Sequence, residues 1–172
     1  MKFGFYLPNN GPNARPEPLA AIALKGDDLG FECMVANDHI LVPEQINSPY
    51  PYTVGGEFPG VGTGEYFEQL TLLTYLAGIT EQIRLITSVM IVPHRPPLLT
   101  AKILSTIDVL SRGRLTVGVG VGWMEEEFRA LGAPPFSERG AVTNEYIRAF
   151  IELWTSDNPT FSGEYCGFSD LV

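Results

Sequence analysis

The 172-residue chain is 45% hydrophobic and 18% charged, an ordinary globular balance with enough apolar side chain for one sizeable core. Its net charge of −9 argues against nucleic acid, whose phosphates are held mainly by Lys and Arg. No apolar run approaches the roughly 20 residues needed to cross a bilayer, and the opening MKFGFYLPNN is too short an apolar stretch for a secretory leader. Cys33 and Cys166 are widely separated and form no CxxC pair, so neither a disulfide framework nor a zinc site is expected. With only His39 and His94 to offer imidazole, no metal site of any kind is expected. A cytoplasmic protein with reduced thiols and no nucleic-acid or membrane partner fits these features.

Lys2–Leu7 is rich in aromatic and apolar residues and reads as a first strand that stops at Pro8-Asn9-Asn10. Pro16 and Pro18 suit the first turn of a helix, where a missing N–H costs little, and Gly30 suits its end. Cys33–Ala36 reads as a second strand ending at Asn37-Asp38-His39. Residues 43–64 are dense in glycine and proline, which neither helices nor strands tolerate, so a long surface loop insertion is expected there. Helical spacing returns through Phe67, Leu70, Leu73 and Leu76.

The next stretch is the most informative. A strand over Arg84–Val89 is followed by a proline-rich loop, then by apolar residues at Leu99, Ile103, Ile107 and Leu110. Gly113 ends that helix, and Leu115–Val121 forms a fourth strand running into glycine. So short a return from helix to strand is a parallel βαβ unit. Glu125-Glu126-Glu127 reads as a solvated first helical turn, and Ser137 as the N-cap of a longer helix through Tyr146 and Trp154. Residues 1–172 thus read as a single α/β domain of four strand-plus-helix units.

Parallel crossovers of this kind build an open doubly wound sheet or a barrel, and both place function at the C-terminal ends of the strands. Asn9-Asn10, Asp38-His39, Thr87-Ser88-Val89 and Gly118–Trp123 are therefore expected on one rim. Asp38-His39 is the only carboxylate–imidazole pair at a strand end, a candidate proton donor or acceptor or a hydrogen-bond anchor. Gly118, Gly120 and Gly122 fail the dinucleotide fingerprint because Trp123 stands where a third glycine is required. Alternating glycine admits the close approach either of a flat ligand or of another backbone.

FGFYLP at the first strand, NDHI at the end of the second, and the run SRGRLTVGVGVGWMEEEFRALG with SERG, ELW and TFSGEY resemble the luciferase-like monooxygenases. That family includes enzymes that use flavin and enzymes that use the deazaflavin coenzyme F420. The resemblance implies a TIM (β/α)₈ barrel, of which this chain would supply about four βα units, a half barrel. It further implies an oxidoreductase in which reduced FMN or coenzyme F420, with no metal, performs hydride transfer or monooxygenation on a small organic substrate. Asp38 and His39 fall on the family's pair beside the cofactor ring, Ser88 and Val89 on a position where many members have a non-prolyl cis peptide, and Gly120, Val121 and Gly122 on the cofactor pocket. In the sugar-phosphate dehydrogenase branch a catalytic carboxylate stands where this chain has Trp123, which implies an apolar or aromatic substrate wall here. A (β/α)₈ barrel takes roughly 250 residues, so the shorter chain is expected to be a truncated product or a proteolytic or engineered fragment. A half barrel that pairs as a homodimer to cover itself is the other expectation. The alternative is a truncated half barrel that dimerises or binds flavin without catalysis.

Overall fold

The computed structural model describes residues 1–60 and 66–171. Residues 61–64 of the expected loop lie outside the described residues. Four strands, β1 (Gly4–Tyr6), β2 (Cys33–Ala36), β3 (Arg84–Ile91) and β4 (Leu115–Gly120), form one sheet in the order β1-β2-β3-β4. The pairing is parallel, with Gly4 opposite Cys33 and with Ala36 of β2 opposite Thr87 of β3. Helices α1 (Pro16–Asp28), α2 (Gln69–Ile79), α3 (Pro97–Leu110), α4 (Glu125–Leu131) and α5 (Arg139–Thr155) follow the strands, giving the four βα units expected of an α/β fold. A short antiparallel hairpin, β5 (Phe161–Ser162) and β6 (Gly167–Phe168), comes last.

The chain divides into two compact units. The first comprises Met1–Glu44, Pro59–Met90 and Thr106–Val119. In it, Leu19 and Ala23 of α1 and Leu73 and Leu76 of α2 bury against Met34 and Leu85 of the sheet, each at most 1% exposed. Each such large side chain contributes about 2 kcal/mol of hydrophobic free energy. Pro16 opens α1 as expected, and Gly30 follows its end at φ +72°, a conformation that costs glycine nothing.

One arginine ties this unit together. The turn after α3 places Arg112 and Gly113 at positive φ, which swings Arg114 back under the end of α2. Its Nε donates to Ser111 O at 2.7 Å, Nη1 to Thr80 Oγ1 at 2.9 Å and Ile83 O at 3.0 Å, and Nη2 to Ala77 O at 2.8 Å and Thr80 O at 2.9 Å. The last carbonyls of a helix have no partner inside it and carry its negative dipole end, so a cation there satisfies both. Asp27 completes the junction by accepting the N–H groups of Glu81, Gln82 and Ile83 at 2.6, 3.0 and 2.7 Å. Burial works against its charge, but the three donors and Arg114 hold its carboxyl below the ordinary range.

The second unit comprises Gln45–Phe58, Ile91–Ser105 and Gly120–Val172. Here α5 packs on the 3₁₀ turn Val92–His94 and buries Val142, Tyr146, Ala149 and Phe150. Glu145, also buried, accepts the N–H groups of Glu164, Tyr165 and Cys166 at 2.9, 2.7 and 2.8 Å and so fixes the turn of the β5–β6 hairpin. Burial opposes the charge at Glu145 as well, and the three donors again win, leaving the carboxyl below its ordinary range.

Two details depart from the sequence reading. Ser137 lies inside a 3₁₀ turn, Phe136–Glu138, and caps nothing; α5 begins two residues later with Glu138 at its N-cap. The turn is closed by Arg139, whose Nη1 donates to Phe136 O at 2.9 Å. The buried face of α3 is also rotated, because Thr100, Ala101, Leu104 and Ile107 are buried while Leu99 and Leu110 are each 58% exposed. Thr100 tolerates burial because its hydroxyl donates to Pro96 O at 2.8 Å, a compensation that a hydrophobic count does not register.

Arg114→Ala is expected to lower unfolding free energy by about 3 kcal/mol in urea titration, since it strands several buried carbonyls, and Arg114→Lys is expected to recover less than half. A change below experimental error would show that these bonds contribute nothing net. For the depressed carboxyls of Asp27 and Glu145, the stabilisation is fully present above the ordinary carboxylate pKa and is lost as pH falls through the lowered folded-state values. Acid denaturation followed by circular dichroism is therefore expected to be less steep in Glu145→Gln than in the parent.

Candidate active site

The end of β2 is held by side chains rather than by a neighbouring strand. Past Ala36 the ladder stops, and Gln69, fully buried at the start of α2, donates from Nε2 to Ala36 O at 2.7 Å. Asn9, 1% exposed, donates from Nδ2 to Asn37 O at 3.0 Å, and its own carbonyl accepts Phe67 N–H at 3.0 Å. These bonds fix the backbone immediately before Asp38 and His39, which are 4% and 7% exposed. The His39 ring meets Tyr66 edge-on, with centroids 5.4 Å apart. Among the described residues, Asn37 Oδ1 and Gln69 Oε1 are buried acceptors without a hydrogen-bond partner.

β3 runs past this edge to Ile91, two residues beyond the end expected from sequence, with Thr87 in register with Ala36, the last residue of β2. Ser88 Oγ lies 3.0 Å from Tyr6 OH of β1, and the Ser88–Val89 peptide is cis. Val89 is 44% exposed, a partly open apolar side chain of β3. Thr87 donates from Oγ1 to Gly118 O at 2.8 Å. A side chain at Gly118 would collide with the carbonyl oxygen of Thr87, so this glycine makes room for a backbone rather than for a ligand. The structure thus brings Asn9, Asp38 and His39 to the C-terminal end of β2, with Ser88 and Val89 following Thr87 inside β3.

Gly120, Val121, Gly122 and Trp123 belong to the second unit. Val121 is 42% exposed. Gly122 has φ +85°, and a Cβ there would approach Phe128 at 2.6 Å and Ile91 at 3.0 Å. Its carbonyl accepts a 3.2 Å hydrogen bond from Arg139 Nε. Trp123 is packed by two aromatic rings of the Gly/Pro-rich loop, with centroids 5.0 Å away at Tyr50 and 5.3 Å away at Phe58. It also lines a cavity of about 500 Å³ bounded by Ser48, Pro49, Glu126, Phe136 and Arg139.

Sequence reasoning missed three features here. Glu125-Glu126-Glu127 is not uniformly solvated. Glu125 is exposed and pairs with Arg129 at 3.3 Å, Glu126 binds Asn47 and Ser48, and Glu127 is fully buried with Oε1 3.8 Å from His94 Nδ1. Tyr50 and Phe58 gave no signal within a loop defined only by glycine and proline. Gln69 sits in an apolar helical pattern, and only the position of β2 reveals what its amide is for. Among the described residues no group of three His, Cys, Asp or Glu side chains is placed to hold a metal, and no helix is long and apolar enough to cross a membrane.

A profile of the luciferase-like monooxygenases matches residues 1–171. The chain belongs to that family. It is 38% identical over 115 residues to an FMNH₂-dependent dimethylsulfone monooxygenase of Pseudomonas putida, an overlap that covers 66% of this chain and 31% of that protein. It is 31% identical over 153 residues to an F420-dependent glucose-6-phosphate dehydrogenase of Amycolatopsis mediterranei, covering 87% of this chain and 41% of the relative. The crystal structure of the monooxygenase RslO1 from Streptomyces bottropensis superposes with a TM-score of 0.76 at 26% identity, over 98% of this chain and 47% of that one. Against the curated relatives it matches, the chain spans between 31% and 58% of their length. The four βα units are those of the luciferase-like TIM-barrel fold.

Gly122→Ala is expected to cost about 2 kcal/mol or more, because the added methyl meets Phe128 and Ile91 at a positive φ. Chemical denaturation checks this. A neutral substitution would mean that the turn relaxes freely and that Gly122 is not a packing requirement.

Proposed function

We propose that the protein is an oxidoreductase that works with a reduced flavin or with reduced coenzyme F420 on a small organic substrate. Family membership supports the cofactor class, since relatives in the family are FMNH₂-dependent and F420-dependent enzymes. The observation that carries the reading is that buried Asp38 and His39 leave β2 at its C-terminal end, where Ala36 pairs with Thr87, the residue before Ser88 and Val89.

The residues present fit such a group. A flat heteroaromatic ring needs hydrogen-bonding partners along its edge and an apolar surface on its face. Buried Asn37 Oδ1 is an unsatisfied acceptor at this end of β2, and Val89 is a partly exposed apolar surface within β3, two residues after Thr87. In the first unit Ser88 and Val89 are assigned to hold the cofactor, which when bound supplies a hydride or activates oxygen.

His39 acts by hydrogen bonding or by moving a proton beside the reacting atoms, and Asp38 sets its orientation. Burial of both side chains excludes bulk water, which strengthens their electrostatic effect on a neighbouring charge. Trp123 forms part of the substrate wall. An indole there offers no charge for a phosphate and favours an apolar or aromatic substrate over a sugar phosphate.

Titration with reduced FMN and with reduced coenzyme F420, under anaerobic conditions, is expected to give saturable binding of one of the two. Binding of neither would overturn the assignment. His39→Ala is expected to lower turnover by about a hundredfold or more while the melting temperature moves by only a few degrees. Unchanged turnover with the cofactor bound would remove His39 from the chemistry.

A further inference from the structure

Glu126 lies in the first turn of α4 and is half-buried. Its Oε1 accepts the N–H groups of Asn47 and Ser48 at 2.8 and 3.2 Å, and its Oε2 accepts the Ser48 hydroxyl at 2.7 Å. Ser48 Oγ in turn accepts Glu125 N–H at 3.1 Å, one of the donors that a helix start leaves unsatisfied. Four hydrogen bonds, three of them to a carboxylate, therefore join residues 47 and 48 to α4.

The chain beyond this junction is closed on itself. Tyr50 N–H donates to Gly56 O at 2.8 Å, and Gly56, at φ +72°, donates to Thr53 O at 3.2 Å. The turn brings Tyr50 and Phe58 together, with centroids 5.2 Å apart, and sets both against Trp123. None of this segment is helix or strand, so its position depends on discrete bonds such as those to Glu126.

The cavity on which Trp123 opens shares its lining with the same segment through Asn47, Ser48, Pro49 and Pro51. Its charged groups are Glu125, Glu126 and Arg139, and Glu125 pairs at the surface with Arg129 at 3.3 Å. Arg139 lies 4.0 Å over the Phe136 ring and donates to Phe136 O and Gly122 O, while Glu126 is committed to Asn47 and Ser48. What the cavity offers a ligand is largely the surface of Trp123, Pro49, Pro51 and Phe136.

We propose that Glu126 is a positioning residue: by holding Asn47 and Ser48 it builds the Tyr50–Phe58–Trp123 wall, and the cavity beside that wall takes a neutral, ring-bearing organic molecule. This rests on the reading of Trp123 as substrate wall and adds the group that keeps the wall in place. Glu126 lines the cavity, but its carboxylate oxygens are taken by Asn47 and Ser48, so it acts on the ligand through the wall. Its removal weakens binding by loosening Tyr50 and Phe58.

The chain has two tryptophans, so Trp154→Phe leaves Trp123 as the single indole emitter. In that background, Glu126→Ala is expected to shift Trp123 emission to the red and to reduce the near-ultraviolet circular dichroism of the aromatic cluster. Affinity for 4-nitrobenzyl alcohol, a neutral aromatic probe followed by quenching of Trp123, is expected to fall about tenfold, and Glu126→Gln, which keeps one acceptor oxygen, is expected to recover part of it. Ser48→Ala removes the two bonds that the Ser48 hydroxyl makes to α4, leaves every α4 side chain in place, and carries the test if Glu126→Ala fails to fold. Emission and affinity equal to the parent in both variants would overturn the positioning role, and a parent that binds no probe up to its solubility limit would overturn the cavity assignment. Reduced FMN or coenzyme F420 is titrated in parallel. Cofactor binding is expected to be unchanged in Glu126→Ala, and its absence in the parent defeats the oxidoreductase reading without altering the emission result.

Discussion

The guanidinium of Arg114, seated on the last carbonyls of α2, is the interaction on which the first unit depends. A parallel sheet needs each helix to end close to where the next strand begins, and that junction gathers unpaired carbonyls. Arg114 spends its donors on Ala77, Thr80, Ile83 and Ser111, so one side chain satisfies the end of α2, the start of β3 and the turn after α3. Asp27 meets the opposite need by collecting the three N–H groups of Glu81, Gln82 and Ile83. With this end of the unit closed by charge-assisted bonds, the other end of the strands is left to present Asp38 and His39.

The same device recurs in the second unit, where Glu145 gathers three N–H groups of the hairpin and Glu126 gathers those of Asn47 and Ser48. In each case a carboxylate on a helix fixes a short irregular segment that has no ladder of its own. Bonds from several N–H groups to one charge are stronger than neutral ones and outweigh the cost of burying that charge. Part of the acidic excess of this chain is thus structural, and these carboxylates carry no sign of binding a cationic partner.

The motif richest in resemblance, SRGRLTVGVGVGW, divides in two on the structure. Ser111 through Arg114 is a helix stop and a clamp, and Gly118 yields space to the backbone of Thr87. Only from Gly120 onward does it reach residues that the resemblance assigns to the cofactor and the substrate. A recurrent motif therefore mixes two physical demands, one for chain reversal under a helix and one for a pocket, and the letters alone do not separate them. The acidic triplet behaves similarly, because three identical side chains at consecutive helical positions point in three directions and meet solvent, a loop and a buried histidine.

The sequence by itself determined the order of elements, the parallel α/β class, the family and the place of Asp38 and His39 just past the end of β2. Those properties follow from local periodicity, from glycine and proline, and from the rule that parallel strands end on one side. Tertiary structure alone decided what holds those residues: Gln69 and Asn9 at the end of β2, Arg114 beneath α2, Glu126 on the loop, and Tyr50 with Phe58 on Trp123. Each is a long-range pairing in which a polar or aromatic side chain answers a group tens of residues away. Spacing along the chain carries no record of such a pairing until the backbone has folded.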